Sequence, residues 1–117
     1  MDDLLQTATA LRDQGRLNAA LVLLRRVIEL DIDNAQAYLE LGLVFYAQAD
    51  YAQAVKALRV ACALRPNQGV TYYHLARAYQ SVGDEESMRT VRFTLSLVAP
   101  DWYAKLDEQR PPPVPGG

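Results

Sequence analysis

The sequence predicts an all-α chain built on an internal repeat, and three observations carry that reading. Apolar residues recur at spacings of three and four from Leu4 to Val98, the period of one helix face. Nowhere does a run of alternating β-branched residues stand between turn signals, as a strand would require. The breakers are evenly placed: Gly15, Ala49 and Gly83 lie 34 residues apart, and so do Pro66 and Pro100, which marks a repeated supersecondary unit. Frames follow as 1–34, 35–68 and 69–102.

Two helices are expected in each frame. The first spans 2–14 and stops at Gly15; the second, 18–31, covers all but the first residue of the apolar stretch LNAALVLLRRVIEL. Asn34 and Asp50 are placed to cap helices over 35–48 and 52–65, the latter ending before Pro66, because a short side-chain oxygen satisfies the free amides of a first turn. A fifth helix, 69–82, ends at Gly83. In the sixth, 85–98, Asp84 precedes Glu85 and Glu86, where negative charge complements the helix dipole.

Reading the same column in every frame sharpens the repeat. The first half gives Leu4, Tyr38, Tyr72; Thr7, Leu41, Leu75; Ala8, Gly42, Ala76; and Leu11, Phe45, Tyr79. The second half gives Ala20, Ala54, Met88; Leu24, Leu58, Arg92; Val27, Ala61, Leu95; and Ile32, Pro66, Pro100. This pattern resembles the tetratricopeptide repeat over 102 of the 117 residues, departing at Thr7 and Ile32 in the first frame and at Met88 and Arg92 in the third. The resemblance implies a right-handed α-solenoid of three antiparallel helix pairs, each too small to bury its own apolar face and therefore stacked on the next. Gly42 then has a reason. A glycine inside a helix costs about 0.5–1 kcal/mol against alanine, and the loss is offset if the missing Cβ lets paired helices cross closely. Ala20 and Ala54 are the expected counterparts across that crossing, and Arg92 is expected either to reach solvent or to be displaced by a rotation that buries Val91 and Phe93 instead.

The single domain, 1–110, closes with a short cap helix at 101–110, DWYAKLDEQR, in which Trp102, Tyr103 and Leu106 cover the end of the third pair. Residues 111–117, PPPVPGG, cannot be helical and read as a flexible, extended tail.

Composition sets the function classes. Half of the residues are apolar, the formal net charge is −2 and the pI is about 5.3, so no broad attraction to nucleic acid is available. The start MDDLLQ is acidic, unlike a secretory signal, and Arg25 and Arg26 interrupt the most apolar stretch, so membrane insertion is not expected and a cytoplasmic location is. Catalysis is not expected either. The chain has one Cys and one His; Cys62 adjoins the core position Ala61 and reads as a small buried hydrophobe. No cluster has metal-ligand spacing and no glycine-rich loop precedes a helix, so no cofactor or metal is expected.

Function is therefore sought on a surface. In the family resembled, the first helices of successive pairs line a concave groove that holds peptides. The columns that point into it place Leu5, Gln6, Thr9 and Arg12 in the first frame, Leu39, Glu40, Leu43 and Tyr46 in the second, and Tyr73, His74 and Arg77 in the third. Where some family members carry a clamp of Lys, Asn and Arg for a terminal carboxylate, this chain has Leu5, Thr9, Glu40, Val70 and His74. The expected ligand is accordingly an apolar or Pro-containing protein segment, with Leu39, Leu43, Tyr46 and Tyr73 as anchors. The resemblance thus implies a non-catalytic adaptor, chaperone-like; the alternative is a scaffold that homo-oligomerises through its ends or by placing the tail in the groove.

Overall fold

A computed structural model describes residues 2–108. They form seven helices: α1 (Asp2–Asp13), α2 (Leu17–Leu30), α3 (Ala35–Ala47), α4 (Tyr51–Leu64), α5 (Gly69–Val82), α6 (Glu85–Val98) and α7 (Pro100–Glu108). No strand occurs among the described residues. Residues 109–110 of the expected cap helix and the tail 111–117 lie outside them.

The repeat is written in the backbone as well as in the side chains. Gly15, Ala49 and Gly83 all turn through positive φ, at 77°, 61° and 82°, reversing the chain between the helices of each pair. Asp31, Arg65 and Ala99, also 34 apart, share an extended conformation with φ of −148°, −135° and −148°, and their amides donate to the carbonyls of Val27, Ala61 and Leu95. Arg65 and Ala99 each precede a proline, which excludes the α region for them. The caps stand where the spacing puts them. Asn34 accepts from the Ala37 amide at 3.0 Å, Asp50 from Gln53 at 3.4 Å and Asp84 from Ser87 at 3.1 Å. The bonds from Ser87 hold the Asp84 carboxyl below the usual aspartate range.

The helices pack as the antiparallel pairs α1–α2, α3–α4 and α5–α6, stacked into a right-handed α-solenoid that α7 closes by lying on α5 and α6. Three core clusters follow one another along it. Ala8, Ala20, Leu24 and Val44 occupy the first junction, Leu39, Leu58, Ala61 and Leu75 the second, and Tyr73, Ala76, Leu95 and Leu106 the third. Gly42 does admit a close crossing, but its neighbour is Leu58 rather than Ala54: a Cβ there would stand 2.6 Å from Leu58 Cγ.

The third pair differs at the positions where its sequence departs. Arg92 neither reaches open solvent nor gives way to a rotated helix. Its guanidinium meets the Asp107 carboxylate of α7 at 2.8 Å and lies 5.5 Å from the Tyr103 ring, while Phe93 stays 67% exposed. Leu95, one turn on, carries the buried volume instead.

The cap helix starts early. In the repeat, the next first helix would open at 103, but α7 opens at Pro100, where proline suits a first helical position; Pro66, in the same column, lies in the turn before α5 instead. Counting from that start restores the register: fourth residues are Tyr38, Tyr72 and Tyr103, and seventh residues are Leu41, Leu75 and Leu106. The cap is a first helix displaced by three residues. Gly69 permits the contact, since a Cβ there would lie 2.4 Å from the Ala99 Cβ and 2.8 Å from Trp102 Cδ1.

Candidate functional site

Helix contacts define an inner face. Each first helix touches the next, α1 with α3, α3 with α5 and α5 with α7, whereas α2, α4 and α6 do not touch one another. The array therefore curves with α1, α3, α5 and α7 on its inside. The expected groove residues lie on those helices, yet not all are accessible. Leu39 and Tyr73 are each only 4% exposed: Leu39 packs in the α4–α5 core and Tyr73 against Leu95, Leu106 and Trp102. The expectation that both serve as ligand anchors is corrected; the fifth residue of these helices faces the following pair. Leu5, Leu43 and Tyr46 remain half-buried on the inner face. Thr9 is half-buried too, its hydroxyl donating to the Leu5 carbonyl at 3.1 Å.

The polar residues form two groups. In the first, Glu40 is almost wholly buried and both its oxygens are engaged, one by Arg12 Nε at 3.0 Å and the other by Gln36 Nε2 at 3.3 Å. A carboxylate under this cover survives because the guanidinium compensates its lost hydration. Arg12 thereby ties α1 to α3.

The second group is cationic and aromatic. Arg77 stands between two rings, its guanidinium carbon 5.3 Å from the centre of Tyr46 and 5.8 Å from that of Tyr73. Lys105 Nζ lies 4.9 Å from the Trp102 ring and 5.9 Å from that of Tyr73. Tyr73 and Trp102 are themselves 5.2 Å apart, and the Tyr46 hydroxyl reaches the Ser81 hydroxyl at 3.3 Å. Ring faces attract cations through their quadrupole, so this shelf holds both charges without a carboxylate. His74 sits beside it, 5.1 Å from Tyr73. Burial, then the charges of Arg77, Arg12 and Lys105, push its pKa down to about 4, leaving a neutral imidazole at neutral pH.

Lys105 escapes a reading by repeat frame. Continuing the 34-residue period from Glu40 and His74 leads to Glu108, an acid, whereas counting from Pro100 makes Lys105 the sixth residue of its helix, as Glu40 and His74 are of theirs. Trp102, Tyr103 and Leu106 cover the third pair as expected, and Trp102 also forms part of the inner shelf.

Cys62 has no reactive character. Burial pushes its thiol up to about 12, so it stays protonated at neutral pH. No group of His, Cys, Asp and Glu suited to a metal occurs among the described residues, and no described helix is long and apolar enough to cross a membrane.

Known proteins share this architecture. A family model described as TPR repeat matches residues 8–49, and another, described as tetratricopeptide repeat, matches residues 36–67. No curated protein sequence matches. Among solved structures, the type III secretion chaperone SycD of Yersinia enterocolitica, in complex with a peptide of the translocator YopD, is 14% identical with a TM-score of 0.85; the match covers 92% of this chain and 86% of that one. A CopN-Scc3 complex is 13% identical with a TM-score of 0.86, covering 94% of this chain and 68% of the other. A mutant O-GlcNAc transferase of Thermobaculum terrenum is 28% identical with a TM-score of 0.78, covering 86% of this chain but only 19% of the enzyme.

Proposed function

The chain is a tetratricopeptide repeat protein, and on that footing we propose that it is a non-catalytic, chaperone-like adaptor holding a peptide or helix of a protein partner along its inner face. The observation that carries this is the half-buried row Leu5, Leu43 and Tyr46 on α1 and α3, beside the cationic shelf. Apolar side chains left partly open beside fixed polar groups are what a peptide groove needs. Support comes from the relatives in structure: SycD is held with a translocator peptide, and PcrH with the chaperone binding region of PopD. The aromatic content of the shelf suits it to supply much of the binding energy.

The test is a panning experiment. A random library of peptides blocked at both ends is captured on the full chain, and the captured sequences are mapped by amide chemical shifts. The expected result is a footprint on α1, α3, α5 and α7, with Leu43→Glu weakening capture by about 1 kcal/mol or more at unchanged helicity and Val60→Glu, on α4, binding normally. A footprint on the helices α2, α4 and α6, or a Leu43→Glu variant that binds as the parent does, refutes the groove. Self-association is the second reading, favoured by Phe93 and Leu97, one turn apart on α6 and 67% and 70% exposed. Sedimentation velocity across a wide concentration range decides it; a strictly monomeric species removes it.

A further inference from the structure

Charge is distributed unevenly over the inner face. The whole chain is acidic, with a formal net charge of −2, yet Arg12, Arg77 and Lys105 all act on one imidazole, His74, near the third pair. Glu40 balances Arg12 alone, its carboxylate being taken by Arg12 and Gln36. Arg77 and Lys105 make no ion pair with any described carboxylate. Both stand over the same Tyr73 ring, at 5.8 and 5.9 Å, and His74 beside them adds no acceptor charge.

Resting on the groove reading above, we propose that the partner segment is acidic: an Asp or Glu side chain pairs with the Arg77 guanidinium and the Lys105 ammonium beside Trp102, while a neighbouring apolar residue settles on Leu43 and Tyr46. The complementarity is direct. A carboxylate brings the charge that the shelf lacks and accepts from those guanidinium and ammonium N–H groups that are not turned toward a ring. Charge-assisted bonds in a partly desolvated groove are worth more than surface pairs, and Arg77 is half-buried there. The acid is an internal side chain, not a chain end: the places that would clamp a terminal carboxylate hold Leu5, Thr9, Glu40, Val70 and His74.

The blocked-peptide panning on the full chain tests this with one further count. Captured sequences should be enriched in Asp and Glu over the input. The tightest sequence and its Glu→Gln analogue are then titrated using the emission of Trp102, the one tryptophan of the chain. The expected loss on changing Glu to Gln is about tenfold, the worth of one charge-assisted hydrogen bond. Lys105→Gln, at an exposed position, and Arg77→Gln should each bind the two peptides more nearly alike, and added salt should erode the preference. If captured peptides footprint on the inner face without acidic enrichment, or the Gln analogue binds as tightly, the acidic inference falls and the groove stands. If the footprint lies elsewhere or nothing is captured, both fall.

Discussion

Replacing Gly42 by alanine would put a methyl carbon 2.6 Å from Leu58 Cγ and 2.7 Å from its Cδ2, about 1 Å inside the separation at which carbon atoms attract. Leu58 is fully buried, so it cannot swing aside into solvent, and α3 and α4 would have to part along their crossing. Overpacking of this kind costs about 1–3 kcal/mol. Against it stands the about 0.5–1 kcal/mol that alanine gains over glycine within a helix. The net expectation is destabilisation of roughly 0.5–2 kcal/mol, opposite in sign to the same change on an exposed helix face. Urea unfolding followed by far-UV circular dichroism measures it, and a double-mutant cycle identifies the cause. Leu58→Ala alone should cost about 2–5 kcal/mol. Combined with Gly42→Ala it should cost at least about 1 kcal/mol less than the sum, because the added methyl then has room. A Gly42→Ala protein as stable as the parent, or strictly additive effects, would refute the close-crossing account.

Three further outcomes are expected. Ala49 holds the φ of 61° that glycines hold at the equivalent turns; Ala49→Gly should therefore stabilise by about 0.5–1 kcal/mol, the relief of left-handed strain less the added freedom of the unfolded chain, read as a raised melting temperature. His74 has a folded pKa of about 4 against an ordinary 6.5, so its contribution is complete above the upper value and is lost as pH falls toward the lower. Between pH 7 and pH 4.5 the parent should lose about 1–3 kcal/mol more than His74→Gln does, the lower end allowing for screening; Arg12, Arg77 and Lys105 oppose the imidazolium, Glu40 being engaged by Arg12, and parallel pH curves would sink the prediction. Arg12→Ala strands the buried Glu40 with Gln36 alone and should cost about 1–3 kcal/mol in urea unfolding, much of it recovered when Glu40→Leu is added.

Periodic features were legible in the sequence because each has a local cause. Gly15 and Gly83 mark left-handed turns, Asn34 and Asp50 mark caps, and the limits expected for the six paired helices lie within one residue of those observed, α4 opening at Tyr51 instead of 52. The readings that failed are those in which the cause lies on another helix. Leu39 and Tyr73 carry the groove's column numbers, but their burial is set by what the following pair presents to them, Leu75 in one case and Trp102 in the other. Arg92 looks misplaced until Asp107 is brought to it by α7. Lys105 is invisible to a fixed period, because α7 opens three residues before the periodic start although Pro100 itself stands in register with Pro66.

That reset explains why the inner face changes character along its length. The sixth column of the first frame holds Gln6, and the sixth residues of α3, α5 and α7 are Glu40, His74 and Lys105. One structural position thus passes from neutral to anionic to imidazole to cationic over four helices. Repetition alone would give a uniform groove, whereas here the sixth position carries a different side chain in every helix, and the early start of α7 brings Lys105 to it. Glu40 spends its charge holding Arg12, which leaves the cationic end uncompensated. Part of what the groove can discriminate therefore depends on where α7 begins: moved to the periodic start, the sixth residue would be Glu108, and the shelf at Tyr73 and Trp102 would face an acid in place of Lys105. Gly69, which lets Trp102 approach α5, is in this sense a specificity residue, although it has no side chain that a ligand would recognise.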